Sequence, residues 1–240
     1  MKPRFLITAG PTREYLDPVR FFSNPSSGKM GYALARAALR AGARVTLVSG
    51  PVALKAPAGA RLVMVESAAD MLRAVQRFSR DADVIVMAAA VADYRPARRL
   101  RRKMKKGASA VSVQMVRTRD ILAELGRRRV RAVLVGFAAE TGRLVPEAER
   151  KLRAKRLDLI VANDVSRPGV GFGSDFNEAF LIDRHGARER VLRMTKGKLA
   201  RLIVRRCLEM RAKLEKQEGR GSGAGGRTRT GTATHVASGF

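Results

Sequence analysis

Residues 23–31 read Ser-Asn-Pro-Ser-Ser-Gly-Lys-Met-Gly, a glycine-bearing loop that joins an apolar strand to a helix. The strand is the run Phe-Leu-Ile-Thr at 5–8, and the periodicity that follows the loop predicts a helix over 29–41. Gly42 ends that helix, and the apolar run at 45–48 predicts a second buried strand. Together these segments predict the first βαβ unit of a parallel sheet.

The same loop has the chemistry of a phosphate-binding site. A helix opening presents unpaired backbone N–H groups and a partial positive charge, to which a lysine adds a full charge. The phosphate-binding residues predicted in this loop are Ser26, Ser27, Gly28 and Lys29.

Strands and helices alternate through most of the remaining chain. Apolar runs predict strands at 62–65, 84–88, 132–138 and 159–162, and helical periodicity predicts helices at 67–78, 119–126 and 146–155. This alternation predicts an α/β fold with a doubly wound, mostly parallel, Rossmann-like sheet that carries helices on both faces.

The pattern changes after Asn163. Turn residues such as Pro168 and Gly169 precede two short strands, predicted at 179–182 and 190–192, that form a β-hairpin extension. An amphipathic helix is then predicted over 196–213.

We expect one folded domain over residues 1–215. Residues 95–107 are dense in Arg and Lys and poor in apolar side chains, so burial cannot offset their ordering entropy and a mobile flap is predicted. Residues 216–240 are rich in Gly, Ser, Thr and Arg, a composition typical of a disordered tail.

Composition narrows the class of protein. No run of about eighteen apolar residues exists, so we expect no membrane span. Cys207 is the only cysteine, which excludes disulfides within the chain and cysteine-based zinc sites, and which suits a reducing cytoplasm. We therefore predict a cytoplasmic protein with a free thiol in its core.

A formal net charge of +28 has two interpretations. Arginines can be spread over solvated helix faces, or they can bind nucleic acid. Aromatic residues make up only 5% of the chain and are not interleaved with the basic runs, as a base-stacking surface requires. The first interpretation is favoured, with nonspecific nucleic-acid binding at most, and a basic nucleic-acid-binding protein stays as an alternative function.

Two common nucleotide-binding motifs are not matched. A dinucleotide site needs Gly-x-Gly-x-x-Gly directly after the first strand and an acidic residue after the second, where this chain has Ser49, Gly50 and Pro51. An NAD(P)-dependent reductase is therefore the weaker alternative. In a Walker A loop, Ser23 would have to be Gly and Met30 would have to be Ser or Thr.

Seven separated blocks occur in the order found in one family of ligases. They are Thr8-Ala-Gly-Pro-Thr-Arg-Glu14, Asp17-Pro-Val-Arg20, Ser23-Asn-Pro-Ser-Ser-Gly-Lys-Met-Gly31, Ala88-Ala-Ala-Val-Ala-Asp-Tyr94, Lys103-Met-Lys-Lys106, Gly136-Phe-Ala-Ala-Glu-Thr141 and Ala162-Asn-Asp164. With these blocks the chain closely resembles phosphopantothenate-cysteine ligase over essentially residues 4–212. In bacteria that family is joined to an N-terminal flavin-dependent decarboxylase. This chain begins at the ligase strand, so we expect a stand-alone form without flavin and, if a decarboxylase takes part, a separate one.

The resemblance implies an amide synthesis in coenzyme A formation. The carboxylate of 4'-phosphopantothenate attacks the α-phosphate of CTP and releases pyrophosphate, and the amine of L-cysteine then displaces CMP from the acyl-cytidylate. Mg²⁺ is implied as the metal that neutralises the phosphates. A homodimer that pairs through the hairpin extension is implied as well.

The resemblance also implies roles for individual residues. Asn24 matches an asparagine that acts on the acyl-nucleotide intermediate, and Lys103, in the predicted flap, matches a lysine that closes over the triphosphate. The nucleotide-binding positions that it implies, besides Lys103, are Met87, Ala88, Ala89, Asp93, Arg119, Asp120, Ile121, Leu122, Phe137, Lys151 and Lys155. From the residues alone, the alternatives are a turn at Asn24, sheet core at Met87, Ala88, Ala89 and Phe137, and solvated lysines.

Overall fold

A computed structural model describes residues 1–107, 110–128, 130–140, 142–164 and 173–222 of the chain. The strands are β1 (Arg4–Ala9), β2 (Arg13–Tyr15), β3 (Phe21–Ser23), β4 (Arg44–Ser49), β5 (Ala60–Met64), β6 (Val84–Met87), β7 (Tyr94–Pro96), β8 (Met115–Arg117), β9 (Val133–Glu140), β10 (Leu159–Asp164), β11 (Phe176–Asp183) and β12 (Arg188–Thr195). The helices are α1 (Lys29–Arg40), α2 (Ala68–Phe78), α3 (Ile121–Arg127), α4 (Leu144–Ala154) and α5 (Lys196–Ser222), with a 3-10 turn at Ser79–Asp81.

Eight strands form the central sheet in the order β12-β11-β10-β9-β6-β1-β4-β5. The six strands from β10 to β5 run parallel, whereas β11 and β12 pair antiparallel at one edge. The chain builds from β1 outward to β4 and β5, then returns to the other side of β1 with β6. The strand order therefore reverses between β1 and β6, and ligands of open α/β sheets bind at such a reversal.

Side chains alternate between the two faces of the sheet, and each face has its own apolar layer. Phe5 and Ile7 of β1 pack in a core that includes buried residues of α1 and α5, whereas Leu6 packs in a core with residues of α2, α3 and α4. The predicted doubly wound sheet with helices on both faces is confirmed. The thiol of Cys207 lies fully buried in the first layer, and burial raises its pKa to about 12.

The hairpin is part of the main sheet. Its first strand, β11, pairs with β10 from Leu159↔Asp183 to Asn163↔Ala179, and so brings the start of β11 beside the end of β10. The final helix continues to Ser222, beyond its predicted end at residue 213 and into the stretch predicted as a disordered tail. The predicted turn residues Pro168 and Gly169, and the part of the predicted tail from 223 to 240, lie outside the described residues.

Residues 95–107, predicted as a mobile flap, contact the loop that follows β2. The backbone N–H of Leu100 donates to the Leu16 carbonyl at 2.8 Å, and the Met104 N–H donates to Asp17 Oδ2 at 3.2 Å. The guanidinium of Arg20 donates to the Met104 carbonyl. The segment is thus attached to one loop at two points in this structure. Over the described part of the chain, no helix is long and apolar enough to cross a membrane.

Candidate active-site cleft

A cleft of about 800 Å³ opens at the carboxyl edge of the parallel strands, where the strand order reverses. The loops after β1 and β6 meet there, because the Ala90 N–H donates to the Gly10 carbonyl at 2.9 Å and the Thr12 N–H donates to the Ala90 carbonyl at 3.3 Å. The cleft is lined by residues from the loop before α1, the end of β6, the start of α3, and the ends of β9 and β10.

The N-terminus of α1 faces this cleft without a side-chain cap. Gly28 is the residue before the helix and has φ of +74°, a left-handed conformation that side chains other than glycine rarely adopt. Gly31 lets the helix approach β1, since a Cβ at this position would stand 2.5 Å from the Ala9 Cβ. The first turn has no acidic residue and no capping side chain, so its backbone N–H groups are suited to bind an anion.

Asn24 connects the loop before α1 to the loop after β6. Its Nδ2 donates to the carbonyl oxygens of Ala90 and Val91, at 3.2 and 3.3 Å. Two carbonyl acceptors fix the orientation of the amide, because an oxygen in the place of Nδ2 would face both of them. The structure therefore gives Asn24 a positioning contact that the sequence-based role did not include.

Two lysines meet at one end of the cleft, around the short segment 173–175 that precedes β11. The Lys29 ammonium donates to the Gly173 carbonyl at 2.9 Å and pairs with Asp175 at 2.7 Å. The Lys196 ammonium, from the first residue of α5, donates to the Ser174 carbonyl. Burial and the charge of Lys29 lower the pKa of Lys196, with Asp175 opposing the shift. The pair of ammonium groups is therefore under mutual repulsion.

Two asparagines lie in the same part of the cleft. Asn177 Nδ2 donates to Asn163 Oδ1 at 3.2 Å, across the β10–β11 pair. Asn177 is 2% exposed, and its Oδ1 accepts no hydrogen bond from any described residue. A buried amide oxygen without a donor is costly, so this atom is available to accept a hydrogen bond from a bound water or ligand.

The start of α3 forms another wall of the cleft. Asp120 caps this helix by accepting the Ala123 N–H at 3.0 Å, and it pairs with Lys155 at 2.9 Å. Burial opposes ionisation of Asp120, but the Ala123 N–H and the Lys155 charge outweigh it and hold its pKa below the ordinary value. Arg119 pairs with Glu124 at 2.7 Å. Lys155 and Arg119 thus each have a carboxylate partner. A phosphate that binds either cation would have to share it with that carboxylate or displace the carboxylate.

Small residues and backbone groups form the floor of the cleft. Met87 is almost fully buried, and the Ala89 N–H donates to Thr8 Oγ1 at 3.1 Å, which fixes the chain just after β6. Phe137, from β9, is half-buried and also lines the cleft. Asp93 is exposed, and its backbone carbonyl accepts the Thr118 N–H at 2.9 Å. This floor leaves backbone polar atoms close to any ligand that it holds.

The structure brings nearly all of the predicted site residues together. The loop residues Asn24 and 26–29 line the cleft, and so do 87–89, Asp93, 119–122, Phe137, Lys151 and Lys155. Lys103 does not line it, because its segment is attached to Leu16 and Asp17. Within the described residues, no group of three or more His, Cys, Asp or Glu side chains could hold a metal ion.

Sequence reasoning missed several lining residues. They are Tyr94, Arg117, Thr118, Asn163, Asn177 and Lys196. Asn163 lies in a quoted family block, so that block was an available signal. Asn177 and Lys196 reach the cleft because β11 begins and β12 ends at the carboxyl edge of the parallel strands. The sequence alone does not single out Lys196, which is one of 49 basic residues.

Comparisons with known proteins agree with this geometry. The family model described as DNA/pantothenate metabolism flavoprotein C-terminal domain matches residues 1–210. The coenzyme A biosynthesis bifunctional protein CoaBC of Bacillus subtilis (strain 168) is 48% identical over 218 residues, which cover 90% of this chain and 53% of that protein. The crystal structure of the C-terminal domain of a CoaBC protein is 42% identical, with a TM-score of 0.75 over 89% of this chain and 96% of that one.

A more distant structure shows the likeness of the fold alone. A mutant of Cab2 in complex with phosphopantothenate-cysteine is 15% identical, with a TM-score of 0.73 over 90% of this chain and 89% of that one.

The strand reversal and the cleft above it define an α/β protein of the doubly wound, ligand-binding class. More particularly, the chain belongs to the family of DNA/pantothenate metabolism flavoprotein C-terminal domains. It spans about half the length of the curated relatives that it matches.

Proposed function

We propose that this protein is a phosphopantothenate-cysteine ligase of coenzyme A biosynthesis that uses CTP. Two relatives that are 48% identical, from Bacillus subtilis and Escherichia coli, are named coenzyme A biosynthesis bifunctional protein CoaBC. The observation that carries the proposal is the cleft itself, in which the uncapped α1 N-terminus and Lys29 lie across from the start of α3 and Lys155. Such a cleft suits a reaction between a triphosphate and an anionic acid.

The proposed first step joins the acid to the nucleotide. A carboxylate oxygen of 4'-phosphopantothenate attacks the α-phosphorus of CTP, and the bond to the bridging oxygen breaks, so that pyrophosphate leaves with the electron pair. Negative charge accumulates on the phosphates, and the amides of the α1 N-terminus, with Lys29, Lys151 and Lys155, are placed to stabilise it. Lys155 would then exchange part of its contact with Asp120 for phosphate.

In the second step, L-cysteine displaces CMP from the acyl-cytidylate. Asn24 is proposed to act on this intermediate. Both of its described hydrogen bonds come from Nδ2, so one N–H must exchange a carbonyl acceptor for an oxygen of the intermediate. The two bonds are long, at 3.2 and 3.3 Å, which makes that exchange inexpensive.

The proposed reaction also involves Mg²⁺ and a movement of residues 95–107 toward the cleft. Among the described residues, two carboxylates line the cleft: Asp120, which is paired with Lys155, and Asp93. Asp93 would hold Mg²⁺ together with phosphate oxygens, since magnesium in nucleotide enzymes usually takes one or two carboxylates plus phosphates. The ion would neutralise the phosphates. Lys103 would reach the triphosphate only if residues 95–107 detach from the loop at Leu16 and Asp17.

The decisive experiment follows the two steps separately. Purified protein is mixed with Mg²⁺, 4'-phosphopantothenate and each of CTP, ATP, GTP and UTP, and pyrophosphate is measured before and after L-cysteine is added. We expect pyrophosphate with CTP before cysteine, and CMP with the cysteine amide afterwards by mass spectrometry. If no nucleoside triphosphate yields either product, the protein is not this ligase. If only ATP yields them, the chemistry stands and the base assignment is wrong.

A further inference from the structure

The carboxamide oxygen of Asn177 is the buried polar atom that the proposed reaction leaves without a role. It lies in a side chain that is 2% exposed at the cleft, and it accepts no hydrogen bond from the described residues. Nδ2 of the same amide already donates to Asn163 Oδ1, so the group that needs a partner is an acceptor. A ligand that satisfies it must present an N–H or O–H donor.

The two ammonium groups at the same end of the cleft favour a ligand group of the opposite kind, an anion that accepts hydrogen bonds. Lys29 and Lys196 both line the cleft, and their contacts converge on the segment 173–175. Asp175 pairs with Lys29, and its side chain is 75% exposed, so solvent screens the charge that it offers to either lysine. Repulsion between the two cations therefore favours a second bound anion.

This end of the cleft thus favours a hydrogen-bond donor and an anion close together. From Asn177 Oδ1 and the Lys29–Lys196 pair we infer that this end of the cleft binds an α-amino acid as its zwitterion, with the ammonium at Asn177 and the carboxylate at the two lysines. The inference rests on the proposed function, in which L-cysteine is the acceptor of the acyl group. It assigns that acceptor a location and two recognition elements.

The arrangement also distinguishes an amino acid from a phosphate group. Phosphate oxygens of a bound nucleotide are acceptors, so a phosphate at Asn177 Oδ1 would add repulsion and leave the amide oxygen without a donor. An ammonium gives Oδ1 a charge-assisted hydrogen bond. The subsite includes Lys29, which lies in the same loop as Asn24, and so it is beside the position proposed for the intermediate. Lys29 would contact phosphate in the first step and the cysteine carboxylate after pyrophosphate has left.

Acyl transfer to an amine bound at this subsite needs no further reagent. The ammonium loses one proton to become a nucleophile, and its nitrogen attacks the acyl carbon. The bond from that carbon to the bridging oxygen breaks, and CMP leaves with the oxygen and the electron pair. The nitrogen then loses a second proton to solvent as the amide forms.

The test crosses two variants with two amines. L-Cysteine carries both groups, whereas cysteamine has the amine and the thiol but no carboxylate. We expect wild-type protein to use cysteine about 10- to 100-fold more efficiently than cysteamine in kcat/KM, the size of a contact between charged groups. Lys196→Met should lower kcat/KM for cysteine by about the same factor and leave cysteamine unchanged. Lys198→Met, an exposed neighbour in α5, is the matched control and should change neither amine.

The role of Asn177 is tested through the amino group, which cysteine and cysteamine both have. Asn177→Ala removes the acceptor and should raise KM for cysteine and for cysteamine by about tenfold or more. Pyrophosphate release from CTP and 4'-phosphopantothenate, measured without any amine, should be unchanged in all variants. Circular dichroism and thermal melting show whether each variant is folded.

Each outcome decides a different point. Equal use of cysteine and cysteamine by wild type overturns the carboxylate assignment, and needs no variant. A defect of Asn177→Ala confined to pyrophosphate release assigns its amide to phosphate and overturns the inference. If wild-type protein releases no pyrophosphate, the proposed function itself is contradicted.

Discussion

At the scale of single residues, Asn24 shows how one amide can serve both structure and chemistry. Its Nδ2 spans two chain segments by donating to Ala90 and Val91. We predict that Asn24→Ala lowers amide formation by about 100-fold, the cost typical of removing one catalytic hydrogen-bond donor. The free energy of unfolding should fall by only about 1 kcal/mol, because two long, partly exposed hydrogen bonds are lost. Quenched product assays and urea denaturation measure the two effects.

A companion variant separates geometry from donation. Asn24→Asp would place a carboxylate oxygen against the carbonyls of Ala90 and Val91, so it should be less stable than Asn24→Ala in the same urea experiment. Turnover of Asn24→Ala at the wild-type rate would remove this residue from the catalytic assignment.

Gly31 sets the distance between α1 and β1, and thereby the position of the helix N-terminus. A methyl group there would stand 2.5 Å from the Ala9 Cβ and 2.8 Å from the Thr8 carbonyl oxygen. We predict that Gly31→Ala lowers the free energy of unfolding by about 1–3 kcal/mol, as overpacking does, and weakens CTP binding. Gly197→Ala, in α5, is the control, because its added methyl group would have no atom within 4 Å, and it should not lower the free energy of unfolding. Urea denaturation and calorimetry with CTP decide, and equal stabilities would contradict the packing argument.

The candidate site was predictable where its chemistry is local. Gly28 and Lys29 follow a strand and open a helix, so their proximity to the cleft follows from chain order alone. Asn177 and Lys196 depend on the register of β10 with β11 and of β11 with β12, which pairs residues far apart in sequence. Lys103 matched its motif, but its segment is attached to Leu16 and Asp17 by tertiary contacts that the sequence pattern does not predict.

At the scale of elements, Asp17 is the buried group that holds residues 95–107 in place. It accepts the N–H groups of Val19, Arg20 and Met104 and pairs with Arg20 at 3.1 Å. Burial opposes ionisation, but these backbone hydrogen bonds and the Arg20 charge lower the pKa of Asp17 below its ordinary value of 3.8. A lowered pKa means that the ionised group stabilises the fold above the unfolded-state value, and that this stabilisation is lost as the pH falls through the folded-state value.

This linkage predicts both a variant effect and its pH dependence. At pH near 7, Asp17→Asn should unfold at lower urea concentration than wild type, and trypsin should cleave it faster within 98–106. The difference in unfolding should shrink as the pH falls below about 4, where wild type loses the same charge. Asp81→Asn, at an exposed position, is the control. A difference that stays constant down to about pH 3 would show that ionisation of Asp17 is not the cause.

Element types were predictable because their apolar periods are long and regular, but their ends depend on single contacts. The predicted helix at 119–126 begins at Ile121 instead, because the side chain of Asp120 caps it. The helix predicted to start at Pro146 begins at Leu144, and Pro146 is tolerated in its first turn because the N–H that proline lacks would have no helical partner there. These ends could not be derived from periodicity, which reports the buried face and not the cap.

At the scale of the whole molecule, many basic side chains remain without an acidic partner even if every acidic residue forms an ion pair. Only 21 acidic residues face 49 Lys and Arg, so a net positive field remains however the pairs form. Pairs such as Arg184 with Asp158 and Arg206 with Glu189 tie separate elements together. The residual field would concentrate anionic substrates near the cleft, and it would draw nucleic acid without selecting a sequence.

The proposed homodimer is a prediction at the same scale, and the structure offers a defined place to test it. Strand β12 is the outer strand of the hairpin, and Leu192 on it is 65% exposed. In a two-fold interface through the hairpin, Leu192 would be buried once from each subunit, so Leu192→Lys inserts two charges into one contact. We expect this variant to raise the dimer dissociation constant by about 100-fold or more in sedimentation equilibrium. Met64→Lys, on the opposite edge strand β5 and 56% exposed, is the matched control and should leave association unchanged. A wild-type protein that sediments at the monomer mass of 26.2 kDa at every concentration rules the dimer out, and dissociation by Met64→Lys alone would move the interface to the other edge of the sheet.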